Sequence, residues 1–269
     1  MEKLNKVAGI TLLFWIMKIL ATTLGETLGD LLSMTLNIGY LMALLVTMGF
    51  FLIVLVIQLK ADRYHAVRYW LVIVGTTTAG TEISDFMDRT LGLGYALGSS
   101  ILFASLVLVL FAWHRGERTI EVYPIVSRKV EIYFWAVVLF SNSLGTAFGD
   151  FLSDNLGFSY LNGALVTAAI IVVVVMLHYF TRLNEVILFW IAFIFTRPFG
   201  ATFGDLLTKP LAKGGLDLGT IPATVITTVL LGLLMVYSVW KDSGSVVRKT
   251  RSEYSSATNK SGTSRRNRK

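Results

Sequence analysis

Long apolar segments alternate with short polar connections along most of the chain. There are eight such segments before residue 240, and each is long enough to cross a bilayer as a helix that rises about 1.5 Å per residue. The even-numbered segments are almost wholly apolar, as in Ile170–Val175, whereas the odd-numbered ones also carry polar residues. The pattern predicts an all-α integral membrane protein with eight transmembrane helices.

One short motif occurs in each of the four odd-numbered segments. It consists of Gly, three residues, Gly or Ser, and Asp, and a Trp lies 15 residues before each Asp. The copies are Gly25–Asp30, Gly80–Asp85, Gly145–Asp150 and Gly200–Asp205, with Trp15, Trp70, Trp135 and Trp190 before them. A fixed offset kept four times indicates tandem repeats. We expect one transmembrane domain, residues 1–240, in four two-helix hairpins at approximately 8–60, 63–115, 128–181 and 183–240.

Basic residues are distributed unevenly over the connections. The termini and the loops between repeats hold 19 of the 24 Lys and Arg residues. Short loops rich in Lys and Arg stay in the cytoplasm. Both termini are therefore predicted to be cytoplasmic, with the motif Asp residues near the opposite face. All repeats then enter the membrane the same way up, as parallel repeats about an axis along the membrane normal. We expect an inner ring of motif helices and an outer ring of apolar helices.

The composition agrees with a membrane protein. Hydrophobic residues make up 54% and charged residues only 15%, with a mean hydropathy of +0.67, whereas soluble domains are about a quarter charged. The absence of Cys excludes disulfides and thiolate metal sites. The net charge of +7 comes from residues 241–269, which are predicted to form a disordered cytoplasmic tail. Such a tail favours binding to anionic lipid at the bilayer, and not to nucleic acid.

Four tandem units, each with two predicted helices and one Trp, resemble a family of bacterial multi-pass membrane proteins built from a repeat of unknown function. The resemblance covers residues 8–240 or so and leaves out the tail. It implies a location in the bacterial inner (cytoplasmic) membrane. It implies no reaction, cofactor or ligand.

The small residues of the motif lie four apart, which permits close helix packing, and a larger side chain such as Leu at Gly149 should force the helices apart. These residues are Gly25, Gly29, Gly80, Ser84, Gly145, Gly149, Gly200 and Gly204. The repeat Trp residues are interpreted as interfacial anchors in an aromatic belt.

Charged residues in the motif helices are the candidate functional groups, since ionisable side chains inside a membrane are costly. The candidates for ligand or ion binding are Asp30, Asp85, Asp150, Asp205, Glu26, Glu82, Asp154 and Arg197. Oxygen ligands without Cys or clustered His favour Mg²⁺, Mn²⁺ or protons, and an organic cation is equally allowed. The alternative is that the Asp residues only cap helices at a wet interface.

Two functions remain open. One is a transporter or permease for a cation or small cationic solute, with the four motif Asp residues as its site. The alternative is a membrane scaffold or sensor in which the repeat serves only helix packing. The chain lacks the motifs of triad hydrolases, phosphate-binding loops and zinc proteases, so we expect neither an enzyme nor a cofactor.

Overall fold

A computed structural model describes residues 5–241. The basic tail predicted for residues 241–269 lies outside this range except for Lys241. The described residues form eight long helices and no strand. The helices are α1 (Leu12–Asp30), α2 (Tyr40–Leu59), α3 (Ala66–Asp85), α4 (Gly94–Glu117), α5 (Arg128–Asp150), α6 (Tyr160–Phe180), α7 (Glu185–Thr208) and α8 (Thr220–Lys241).

Seven of these eight helices are long and apolar enough to cross a membrane. The exception is α3, which is of similar length but too polar by composition, because Thr76–Thr78, Thr81 and Glu82 lie in its second half. The sequence analysis expected all eight helices to qualify. The reason for the difference is position, since α3 packs against α1, α2 and α5 and almost all of it from Tyr69 onward is buried in protein.

The first three motif helices do not end at the motif Asp. Each continues without a break into one wider, π-helical turn, formed by Leu31–Thr35, Phe86–Thr90 and Phe151–Asn155. Such turns are frequent at functional sites. In the fourth repeat α7 continues as an α-helix to Thr208, and Pro210 then leads into a short 3₁₀ turn, Leu211–Lys213. Each Asp therefore lies about one turn inside its helix.

The apolar helices pack across repeat boundaries. The main helix partner of α2 is α3, that of α4 is α5, and that of α6 is α7. In the first three repeats the second helix thus packs on the first helix of the next repeat. The predicted hairpins are therefore connected in sequence but packed mainly across repeat boundaries. A repeat cannot bury its own motif helix and depends on its neighbour to do so.

Each motif helix contacts two others. Helix α1 packs against α3 and α7, and α5 packs against the same two helices. The first motif glycine packs against the neighbouring motif helix in all four contacts: Gly25 meets Thr77, Gly80 meets Asn142, Gly145 meets Arg197, and Gly200 meets Thr22. A Cβ atom on Gly25 would lie 2.9 Å from the backbone carbonyl carbon of Thr77, and one on Gly80 would lie 3.0 Å from a backbone nitrogen. Only glycine fits at these crossings.

The repeat Trp residues lie at the end of the bundle opposite the motif Asp residues. Trp70 and Trp135 are each 1% exposed and contact Tyr69, and the Trp190 indole N–H donates to the carbonyl of Ile120 at 3.0 Å. Trp15 is half-buried. These rings pack mainly within the protein. Their burial differs from the interfacial anchors that the sequence predicts, since each Trp packs against the aromatic residue before it within one shared cluster.

Candidate functional site

The four motif Asp residues meet at one end of the bundle, which we call the motif end. All four are buried, with 2% to 5% of each residue exposed. Lys209 bridges two of them, with its Nζ 2.6 Å from Asp30 Oδ2 and 3.2 Å from Asp205 Oδ1. Arg89 bridges the other two, at 2.9 Å from Asp85 Oδ1 and 3.2 Å from Asp150 Oδ2. Each bridge joins carboxylates of two different repeats.

Arg89 and Lys209 occupy the same place in their repeats, four residues after the motif Asp. The equivalent positions of the first and third repeats hold Met34 and Asp154. The sequence analysis did not include Arg89 or Lys209 among the candidates. In each case the cation follows its Asp by four residues, which places the two opposite charges on the same helix face. This spacing is the sequence signal that identifies Arg89 and Lys209.

Lys209 lies just beyond the end of α7, at the edge of the carboxylates. Burial alone would lower its pKa, but the carboxylates of Asp205 and Asp30 outweigh this effect and hold the pKa well above the usual value for lysine. Lys209 is therefore charged throughout the physiological pH range.

A second layer of charge lies one turn deeper, around Arg197. This side chain is fully buried, with its Nη2 3.0 Å from Glu26 Oε2 and 2.6 Å from the Thr146 hydroxyl. It also donates to the Thr81 hydroxyl and, from Nη1, to the backbone carbonyl of Thr22 at 3.3 Å. Arg197 thus connects α7 with the three other motif helices. A buried arginine needs such acceptors because an unpaired charge in protein is costly.

Glu26, Asp150 and Asp205 bring carboxylates from three repeats together. One oxygen of each lies within 4.8 Å of the oxygens of the other two, and all three residues are buried. Hard cations such as Mg²⁺ and Ca²⁺ bind oxygen at about 2.0–2.6 Å, so oxygens on opposite sides of one ion are about 4–5 Å apart. The spacing of these three oxygens is within the range that a single small cation can bridge.

Glu82 is the carboxylate with the least compensation. It is fully buried, and neither carboxylate oxygen has a hydrogen-bond partner among residues 5–241. Its Oε1 faces Gly29, where an added Cβ would lie 3.3 Å away. The nearby Ser33 hydroxyl donates to the carbonyl of Gly29 at 2.9 Å. A buried carboxylate without a donor is unfavourable. The motif end therefore holds more buried acidic groups than its own cations pair.

Asp154 does not join the buried carboxylates. It is exposed at the rim and accepts a hydrogen bond from the Tyr95 hydroxyl at 2.8 Å. The sequence predicts Asp154 as an additional carboxylate of the site in the third repeat. It does not predict Asp88, which is buried, approaches Ser84 at 3.4 Å and faces Gly98. Its place in the connection after the motif gave no signal of burial.

Polar side chains continue below Arg197. Lys18 is fully buried and donates to Asn142 Oδ1 at 3.2 Å, while Asn142 donates to the Thr76 hydroxyl at 3.0 Å. The Lys18 Nζ also lies 4.0 Å from the centre of the Phe193 ring, a cation–π contact. The aromatic cluster around Phe14 follows immediately. The buried polar interior thus extends from the motif Asp residues to Lys18 and ends at aromatic rings.

Helix capping does not account for the first three motif Asp residues. Asp30, Asp85 and Asp150 directly precede the π-helical turns, yet their side chains make no capping hydrogen bond to them. Their carboxylates instead accept from Lys209 and Arg89. The interpretation as simple caps therefore finds no support at these three positions.

The fold and this site define a class of protein: an all-helical chain of four two-helix repeats, with seven described helices able to cross a membrane and buried carboxylates at one end. The family described as "Repeat of Unknown Function (DUF347)" matches residues 13–64, 68–119, 133–184 and 188–243. The chain belongs to this family, and the resemblance inferred from the repeat is confirmed. No curated protein and no solved structure matches the chain.

Proposed function

We propose that the protein is a transporter or permease for a cation or small cationic solute in the bacterial inner membrane. In this proposal the four motif helices form an inner ring around an axis along the membrane normal, and the apolar helices form an outer ring in contact with lipid. Both termini lie in the cytoplasm, and the motif end faces outward. The cyclic order of the glycine contacts and the exposed apolar surfaces of the second helices support this arrangement.

The imbalance of buried charge at the motif end carries the proposal. Seven acidic residues are buried there, and three cationic residues pair with five of them. The acidic residues are Glu26, Asp30, Glu82, Asp85, Asp88, Asp150 and Asp205, and the cationic ones are Arg89, Arg197 and Lys209. Like charges this close repel one another, and a bound cation relieves the repulsion. The three oxygens of Glu26, Asp150 and Asp205 are the best placed to hold it.

The second candidate is a non-transporting scaffold or sensor. One observation favours it: each motif Asp already has an ion pair within the protein, and Arg197 fills the space one turn deeper. In that case the charges serve to join the four repeats. The two functions differ in whether the carboxylates respond to an added cation.

A thermal-shift measurement on the purified protein with Mg²⁺ and Mn²⁺ separates the two candidates. A ligand that binds only the folded state raises the midpoint of unfolding, and the rise grows with the logarithm of the ligand concentration above Kd. We expect Mn²⁺ to raise the midpoint of the wild type, and Asp150→Asn or Asp205→Asn to abolish the rise. Asp154→Asn is the matched control, because it removes an exposed carboxylate four residues from Asp150 and should leave the rise intact.

The result favours the scaffold function if Mn²⁺ does not raise the unfolding midpoint, or if the rise remains in the combined Asp150→Asn and Asp205→Asn variant. A folded variant with an unchanged response would show that the ion binds elsewhere.

A further inference from the structure

We propose that Arg89 and Lys209 are tethered competitors for the transported ion: each occupies two motif carboxylates, and together they select divalent over monovalent cations. This inference rests on the proposed function and adds to it the residues that set its selectivity. A tethered competitor is a charged side chain that fills an ion site from within and leaves when the ion enters.

The first observation is the symmetry of the two bridges. Arg89 connects the carboxylates of the second and third repeats, and Lys209 connects those of the fourth and first. Both bridging groups come from the same position, one turn after the Asp. The four motif carboxylates are thus divided into two pairs, and each pair holds one positive charge.

The second observation is the difference in exposure between the bridges and the deeper ion pair. The side chains of Arg89 and Lys209 are 32% and 23% exposed, while that of Arg197 is 0% exposed. Arg89 also lies over the rings of Tyr40 and Tyr95, at 5.9 Å and 5.8 Å from their centres. Both bridging side chains lie on the outer side of the carboxylates and can leave them without unpacking the core. Arg197 has no such route.

The third observation is a buried carboxylate that no cation of the described chain pairs with. Glu82 is fully buried, its Oε1 faces Gly29 on α1, and the Ser33 hydroxyl lies nearby. Arg89, Arg197 and Lys209 form their ion pairs with other carboxylates. Glu82 therefore favours an additional positive charge close to the pairs that Arg89 and Lys209 already occupy.

Charge gives the selectivity. A monovalent ion that displaces Arg89 or Lys209 replaces one positive charge by another and brings no electrostatic gain. A divalent ion adds a charge, which the remaining carboxylates stabilise. The tethered side chains therefore keep monovalent ions out and give way to divalent ones.

Calorimetric titration of Mn²⁺ into the purified full-length protein tests the inference through Arg89→Met and Lys209→Met. Methionine is the residue that the first repeat carries at this position, as Met34, and it is there half-buried. Removing a competitor raises the fraction of protein that can bind, and the apparent Kd falls by the same factor. We expect Mn²⁺ to bind roughly tenfold more tightly in each variant, and Na⁺ to begin to compete with it.

One control removes a positive charge elsewhere. Lys213→Met deletes an exposed lysine four residues from Lys209 for which no ion pair occurs among residues 5–241. This variant should bind Mn²⁺ as the wild type does. If one Met variant does not fold, the other bridge, or Lys209→Gln, provides the same test.

Unchanged or weaker Mn²⁺ binding in the folded bridge variants overturns the inference. The proposed function still stands in that case if the wild type binds Mn²⁺ and this binding depends on Asp150. If neither the wild type nor any bridge variant binds Mn²⁺, the inference and the divalent site both fail. The inference is also overturned if the tighter Mn²⁺ binding of Arg89→Met persists when Asp150→Asn is added, because the ion would then be bound elsewhere.

Discussion

Single residues at fixed offsets hold the motif helices together. The residue eight positions before each motif Asp packs on the first glycine of the preceding repeat, so Thr77 meets Gly25 and Arg197 meets Gly145. At three of these positions the side chain is short and neutral, but in the fourth repeat it is arginine. The same site therefore serves packing in three repeats and central charge pairing in the fourth.

The two motif glycines should respond differently to a methyl group. A Cβ on Gly145 would lie 2.6 Å from Arg197 Cβ and 2.9 Å from Pro198 Cδ, whereas one on Gly149 would lie 3.3 Å from Ala201 Cβ. We expect Gly145→Ala to destabilise the protein by about 1–3 kcal/mol through overpacking. Gly149→Ala should change the free energy of unfolding by less than about 1 kcal/mol, because Ala favours the helix.

Thermal unfolding in detergent measures both effects side by side, with Gly49→Ala as a control, since a Cβ at Gly49 meets nothing within 4 Å. Equal stability of the two motif variants would contradict the close crossing at the first glycine.

Individual residues also show how much of the candidate site could be predicted from the sequence. The motif Asp residues could be predicted to converge, because identical offsets in parallel repeats place them at one level. The burial of Glu82 and the pairing of Arg89 with Asp150 could not, because both depend on helix rotations of a few tens of degrees. Asp154 shows the same limit, since one helical turn separates a buried carboxylate from an exposed one.

Whole helices pair in an order that the chain connectivity does not indicate. Adjacent helices joined by a short loop usually pack together, yet α2 packs on α3 of the next repeat, as α4 does on α5. The connections on both sides of α2 are short, so its chain connectivity allows packing on either α1 or α3. The choice depends on how the side chains fit, which the hydrophobic pattern of the sequence does not predict.

A cysteine pair can test this packing without background, because the chain has no Cys. An ideal Cβ on Gly75 of α3 would lie 3.3 Å from the Cβ of Phe51 on α2, close to the distance of about 3.8 Å in disulfides. We expect the double variant Phe51→Cys and Gly75→Cys to oxidise to an intramolecular disulfide, read as a mobility shift that a reductant reverses.

The control pair is Gly49→Cys with Gly75→Cys, because position 49 faces open space, and it should stay reduced. Cross-linking of the control but not of the Phe51 pair would mean that α2 packs elsewhere.

Across the whole molecule, charge and packing separate the two ends. The motif end carries the buried carboxylates, and the other end carries the aromatic cluster together with the buried ion pair of Lys6 and Glu131 at 2.8 Å. The loops and helix ends at this second end together hold most of the Lys and Arg residues of the described chain. By the positive-inside rule we expect it to face the cytoplasm.

Labelling of single cysteines in intact cells measures this orientation. Asn37→Cys and Asn155→Cys, both exposed at the motif end, should react with a membrane-impermeant maleimide, and Lys60→Cys at the other end should not. The reverse labelling pattern would place the motif end in the cytoplasm and would contradict the outward-facing site.

Flux of Mn²⁺ into vesicles reconstituted with the purified protein measures transport itself. We expect the wild type and Asp154→Asn to admit Mn²⁺ faster than protein-free vesicles do. The variant that combines Asp150→Asn with Asp205→Asn, folded and inserted to the same extent, should show the protein-free rate. Equal Mn²⁺ entry with and without these two carboxylates, or a wild-type rate no higher than that of protein-free vesicles, would contradict cation transport through this site.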